Sequence, residues 1–149
     1  MHANINGTDF PIERSQELKP IVISAAIGIG GKWESTLIFQ CDTGADLCAV
    51  PMNIWLKIFG EPPEPVETAT AENAVGSDAS VVVTEISLRL ETTDHEVVTL
   101  HKVRCLVAPK GIPVLGLNVL EAFRLVISRN ELQEFRFNPR TKTWLGLTD

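Results

Sequence analysis

The sequence has few cysteines, and it contains neither a long apolar run nor a cluster of basic residues. Its three cysteines, Cys41, Cys48 and Cys105, are an odd number without framework spacing, so no disulfide scaffold is expected. They also lack a CxxC pair or a histidine neighbour at metal-ligand spacing, and we therefore expect no metal and no cofactor. We interpret all three as small buried side chains in a reducing compartment.

The charge balance is acidic. With 19 acidic and 13 basic residues, the chain has a net charge of -6. The absence of a Lys/Arg cluster argues against nucleic acid as the main partner and against a polybasic membrane anchor. No apolar stretch approaches the length of a membrane span, and the first residues lack the blocks of a signal peptide, so a cytoplasmic protein is expected.

Length and composition indicate one compact domain. A chain of 149 residues with 44% hydrophobic and 21% charged residues suits a globular protein with a substantial core. By composition, residues 1–19 are a polar lead-in, and residues 20–149 are expected to form the domain.

Short β-branched runs separated by glycine, proline and asparagine turns predict a mainly β fold. The predicted strands are 21–29, 32–41, two arms within 66–90, 97–108, 124–127, 132–137 and 143–147. Short helices are predicted over 51–59 and 119–123, with Asn118 as a candidate N-cap of the second. Together these elements predict a closed, β-barrel-like domain with one or two short helices.

A carboxylate follows the second predicted strand. Asp42, Thr43, Gly44 and Ala45 come directly after the apolar run 36–41, and an apolar-apolar-Gly element recurs far downstream at 113–116. A buried carboxylate without a partner is destabilising, so an aspartate at the end of an apolar strand is expected to be neutralised, paired or used in chemistry.

These two elements resemble those of the retropepsin-like aspartic peptidases. In that family a DTGA-type loop carries the catalytic Asp, and a later hydrophobic-hydrophobic-Gly strand with a short helix packs behind it. The resemblance spans about residues 20–147 and implies the closed, β-barrel-like acid protease fold. The stretch 114–125 looks more like cellular and bacterial members than viral ones.

The resemblance implies a homodimeric aspartic endopeptidase. Two close carboxylates can share one proton, so that one activates water while the other protonates the substrate. The sequence has no second Asp-Thr-Gly or Asp-Ser-Gly, and the second carboxylate is therefore expected from another copy in a two-fold dimer. The resemblance assigns catalysis to Asp42, Thr43 and Gly44. It assigns contacts with an extended polypeptide substrate to Ala45, Asp46, Ala74, Val75 and Gly76.

Several alternatives stay open in the sequence. The tip near residues 73–78 is either a flap over the substrate or an ordinary hairpin turn. Leu117 stands where viral members commonly have Arg, so Asp46 either pairs with another base, such as Arg124 or Arg129, or is solvated or neutral. The whole chain is either a peptidase or an inactive dimeric module that binds peptides, and an Asp-Thr-Gly turn in an unrelated β domain is a third reading.

Overall fold

β-strands make up most of the fold. The computed structural model describes residues 2–5, 8–11, 20–72 and 78–138. The strands are β1 His2–Ile5, β2 Thr8–Pro11, β3 Val22–Ile29, β4 Lys32–Cys41, β5 Cys48–Pro51, β6 Glu67–Glu72, β7 Asp78–Glu91, β8 Val97–Ala108, β9 Val114–Leu115, β10 Phe123–Ser128 and β11 Glu131–Phe137. The helices are α1 Met52–Phe59 and α2 Leu117–Leu120. Within the described residues, none of the helices is long and apolar enough to cross a membrane.

Seven strands form one sheet that closes on itself. Their order is β3-β4-β9-β5-β8-β7-β6, and β3 also pairs with β7, which joins the two sides into a ring. Most pairs are antiparallel, whereas β4 with β9 and β5 with β8 run parallel. The predicted mainly β, barrel-like fold with short helices is confirmed.

The interior of the ring is filled by alternating apolar side chains. Strand β8 shows the period-2 pattern of a strand with one buried face on either side of an irregularity at Lys102. The largest fully buried side chains are Trp55, Phe39, Phe135, Ile27, Ile86, Leu88, Leu90, Leu100, Leu115, Val50, Val83 and Val103. Because these residues come from nearly every part of the ring, the core holds distant segments together.

A separate hairpin, β10–β11, covers one side of the core with aromatic side chains. Phe123 stacks on Phe135 with ring centroids 4.3 Å apart, and Phe137 meets Phe123 edge-on at 5.4 Å. Thr93 fastens the hairpin, since its hydroxyl accepts a hydrogen bond of 2.9 Å from the Phe135 amide. The hairpin is thus anchored both by ring contacts and by a polar link to the loop after β7.

Several boundaries match the predictions, and others do not. Strands β4 and β8 begin and end where predicted, and α1 differs by one residue. Helix α2 begins at Leu117 rather than at residue 119, because the chain turns directly after Gly116. Strands β1, β2 and β5 were not predicted, and the predicted strand 143–147 lies outside the described residues. The division at residue 19 stays a prediction.

We expect the interior of the ring to dominate stability. Val103 is fully buried, whereas Val97 on the same strand is 61% exposed. Val103→Ala should lower the free energy of unfolding by about 2 kcal/mol, because it removes two buried methyl groups and leaves a small cavity. Val97→Ala, the matched control, should change it by less than about 0.5 kcal/mol. Urea unfolding of both variants measures the difference, and equal effects would contradict the assignment of this face to the core.

Candidate functional site

The Asp42 loop starts where β4 leaves the ring. The amide of Cys41 donates to the carbonyl of Ile21 at 2.8 Å, and the amide of Asp42 donates to the carbonyl of Leu115 at 3.0 Å. The backbone that carries Asp42 is therefore fixed by β3 on one side and by β9 on the other. Its side chain is exposed in the single chain. In the single chain β4 therefore ends at the surface and does not itself bury this carboxylate.

The loop turns tightly around the Asp42 carboxylate. The amide of Gly44 donates to Asp42 Oδ1 at 2.8 Å, and the amide of Ala45 donates to the Asp42 carbonyl at 3.2 Å. Such local bonds between an Asp side chain and the following backbone define an Asx-type turn. One carboxylate oxygen is thereby oriented, while Thr43 and Gly44 are exposed beside it.

Gly116 lets the downstream 113–116 element pack closely against the backbone of the Asp42 loop. A Cβ on this residue would lie 2.4 Å from the carbonyl oxygen of Leu47 and 2.9 Å from that of Ala45. Both distances are shorter than side-chain carbons tolerate, and both obstacles are backbone atoms. Only glycine fits this position without moving the loop. The amide of Leu117 then reaches the Ala45 carbonyl at 2.7 Å.

Asn118 performs a different task from the predicted one. The residue that precedes α2 is Gly116, and the helix has no side-chain cap. Asn118 Oδ1 instead accepts from the amide of Cys48 at 3.0 Å, while its Nδ2 donates to the carbonyl of Arg104 at 2.9 Å. Its own amide donates to the Asp46 carbonyl at 3.1 Å. Asn118 therefore joins the candidate loop, through its backbone amide, to β5 and β8, through its side chain.

Asp46 is exposed at the end of the loop. Within the described residues, neither its carboxylate nor that of Asp42 forms an ion pair with a basic side chain. The proposed substitutes Arg124 and Arg129 are both exposed, and neither forms such a pair. Of the two alternatives for Asp46, the geometry favours a solvated carboxylate.

Three thiols lie on the strands behind the loop. Partial burial raises the pKa of Cys41 from the ordinary 9.0 to about 11, and deeper burial raises that of Cys48 to about 12. Burial, followed by the proximity of Cys48, holds the pKa of Cys105 well above its ordinary value. All three thiols therefore stay protonated near neutral pH. Cys48 on β5 lies directly opposite Cys105 on β8 in the sheet.

The predicted flap residues Ala74, Val75 and Gly76 lie outside the described residues. The two arms that lead to them are described, and they pair antiparallel from Glu67 with Val83 to Glu72 with Asp78. At the base of these arms, Arg104 of β8 forms an ion pair with Glu67 at 2.5 Å. The predicted hairpin is confirmed in its arms, and the role of its tip stays a prediction.

The structure brings together Asp42, Thr43, Gly44, Ala45 and Asp46 in one loop supported by the downstream Gly element. An oriented, exposed carboxylate can accept a proton or hold a water molecule. It cannot by itself be both the acid and the base that peptide hydrolysis requires. Sequence reasoning missed the support from Asn118, for which the only local signal was an Asn beside a glycine turn.

Comparisons with known proteins give matches among solved structures. No family model matches the chain, and no curated protein sequence matches it. Among solved structures, the matches include the EIAV protease complexed with the inhibitor HBY-793. The identity is 16% and the TM-score is 0.49, over 74% of this chain and 92% of that chain.

Gly116 should tolerate no side chain. Gly116→Ala is expected to lower the free energy of unfolding by about 1–3 kcal/mol, because its Cβ would displace the backbone of the loop. Gly44→Ala is the matched control for stability, since its Cβ would meet only the Asp42 carboxylate at 3.1 Å. Urea unfolding compares the two. A smaller loss of unfolding free energy for Gly116→Ala than for Gly44→Ala would show that the loop backbone does not lie this close to Gly116.

The thiols should react slowly in the folded chain. A pKa of about 11 leaves Cys41 with about a hundredfold less thiolate at pH 8 than a thiol of pKa 9.0. Alkylation of native Cys41 by iodoacetamide should therefore be at least that much slower than in the urea-unfolded chain. Its rate should rise about tenfold per pH unit from pH 8 to 10, whereas the unfolded rate levels off above pH 9.

Peptide mapping by mass spectrometry assigns each alkylated cysteine. Cys48 and Cys105 serve as internal references, since they are buried and should react more slowly still. Equal rates for native and unfolded Cys41 at pH 8 would show that its thiol is not held protonated.

Proposed function

We propose that the chain is a homodimeric aspartic endopeptidase in which the Asp42 carboxylates of two copies activate one water molecule. The resemblance of the 42–46 and 113–116 elements to retropepsin-like peptidases motivates this function. The observation that carries it is the exposed Asp42 carboxylate, oriented by the Gly44 amide at 2.8 Å in a loop seated on Gly116.

The reaction requires two carboxylates. A dyad that shares one proton contains both a base, which takes a proton from water, and an acid, which protonates the substrate carbonyl. Each chain supplies a single Asp-Thr-Gly loop. Since Asp42 and Thr43 are exposed in the single chain, a second copy related by a two-fold axis has access to both.

The remaining roles are those that the resemblance to retropepsin-like peptidases implies. Thr43 would bond across the two-fold axis, and the backbone of Gly44 would lie beside the substrate. Ala45 and Asp46 would contact the substrate as they leave the loop, and Ala74, Val75 and Gly76 would cover it. The substrate would bind as an extended polypeptide, because backbone hydrogen bonds to a strand-like segment are independent of its sequence.

Loss of the Asp42 carboxylate from both copies should abolish cleavage. Asp42→Asn keeps the size of the side chain and an oxygen that can accept from Gly44, but it removes the base. We expect cleavage of a diverse peptide library over about pH 3–7 to fall about a thousandfold or more. The protein is used at high concentration, because a weak dimer dissociates on dilution.

Mixing the two forms tests the dimer directly. With a fraction f of wild-type chains and exchange complete, activity should follow the square of f, because only dimers with two aspartates are active. A linear dependence would show that one chain suffices. Wild type that cleaves nothing while sedimenting as a dimer would instead support an inactive peptide-binding module.

A further inference from the structure

A groove opens on the outside of the ring, beside the turn between β3 and β4. Its volume is about 630 Å3, and it lies between that turn, α1 and the loop that follows α1. Its lining residues are Ile29, Lys32, Glu34, Trp55, Phe59, Glu61, Pro62, Pro63, Glu64, Val66, Thr84 and Glu85. None of them belongs to the Asp42 loop, so the groove is separate from the proposed active site.

The floor of the groove is apolar and rigid. Trp55 and Phe59 contact each other with ring centroids 4.3 Å apart, and the Trp55 indole donates to the Glu61 carbonyl at 3.1 Å. Ile29 and Val66, by contrast, are each 46% exposed on its walls. Thr84 fixes the loop by donating to the Glu64 carbonyl at 2.7 Å. The groove thus combines a fixed aromatic base with apolar walls that remain in contact with solvent.

The rim carries a surplus of negative charge. Lys32 forms an ion pair with Glu34 at 3.3 Å. Within the described residues, the other three carboxylates of the rim, those of Glu61, Glu64 and Glu85, form no ion pair. An apolar floor beneath unpaired carboxylates complements a ligand with an apolar side chain between cationic ones.

A second cavity of about 410 Å3 lies next to the groove. The two cavities share Ile29 and Glu85, and the second is also lined by Ser87, His101 and Lys102. Two adjacent cavities of this size suit a ligand longer than a compact small molecule. An extended chain advances about 3.3 Å per residue, so a segment of six residues reaches across about 20 Å.

We propose that this groove is a docking site for an extended polypeptide segment that carries a large apolar side chain flanked by lysine or arginine. The apolar side chain enters between Ile29 and Val66, and the flanking cations meet the carboxylates of the rim. The net charge of -6 makes association with a second copy of this chain electrostatically unfavourable. Anionic lipid and nucleic acid are repelled by the same carboxylates.

The test measures binding of a defined probe to the full chain. The probe is an acetylated, amidated peptide of six residues that alternates lysine with leucine. The protein carries Asp42→Asn, so that no cleavage consumes the probe and the result does not depend on catalysis. The Trp55 indole N–H resonance reports on the groove directly, because this ring lines it. We expect a saturable shift of that resonance.

A charge-matched pair of variants separates the groove from general electrostatics. Glu61→Gln, Glu64→Gln and Glu85→Gln together should weaken the probe's Kd about tenfold, since each exposed ion pair contributes modestly. The control combines Glu96→Gln, Glu121→Gln and Glu131→Gln, three exposed positions outside the groove lining, and should leave Kd within about twofold. Val66→Ser should weaken binding without altering the rim.

Four results would overturn the proposal. Two are the absence of a saturable shift of the Trp55 resonance and an equal weakening of binding by both triple variants. The other two are equal binding of a probe with serine in place of leucine, and displacement of the probe by spermine at equal concentration. The first shows that nothing docks, and the next two show charge attraction without a groove. The last shows a polyamine site instead. None of these results bears on cleavage, so failure here is distinct from failure of the proposed peptidase.

Discussion

The absence of a side chain at Gly116 is the constraint on which the candidate site depends. Backbone atoms of Leu47 and Ala45 occupy the space where a Cβ would be. This approach brings the amides after Gly116 within bonding distance of the loop carbonyls, so backbone hydrogen bonds hold the loop to the downstream element. Asp42 and Thr43 are consequently exposed on a rigid support, which is the arrangement that binding and chemistry require.

The closed ring explains why the two elements meet. Strand β9 is only two residues long, yet it pairs with β4 on one side and with β5 on the other. Both neighbours flank the Asp42 loop, the first before it and the second after it. A strand so short has little stability of its own, and its position follows from Leu115, which is fully buried in the core. Core packing inside the ring thereby fixes the position of the backbone next to the Asp42 loop.

Local patterns made much of the fold predictable. The first and last residues of strands β4 and β8 were predicted correctly. Each strand has alternating apolar and polar residues or β-branched residues, and clear turn signals flank it. Strand β5 was missed because its four residues form a strand only through β8 and β9, which are remote in sequence. The exposure of Asp42 was likewise unpredictable, because the residue pattern of a strand does not show whether its end lies at the surface of the folded chain.

The candidate site was predicted as a motif but not as a structure. The resemblance to retropepsin-like peptidases pointed to Asp42, Thr43 and Gly44, and to the supporting glycine. The task of Asn118 was not, because its partners Cys48 and Arg104 are 70 and 14 residues away. Side chains that join distant backbone segments produce no periodic pattern in the sequence, so these contacts are seen only in the folded structure.

The parallel pairing of β4 with β9 has a consequence for the order of folding. Hairpins such as β3–β4, β7–β8 and β10–β11 join neighbouring segments, and their loops are short to close. The contact of Asp42 with Leu115, by contrast, closes a loop of more than seventy residues, and the ring must be nearly complete before it forms. We therefore expect the loop that carries the candidate carboxylate to be among the last parts of the ring to become ordered during folding.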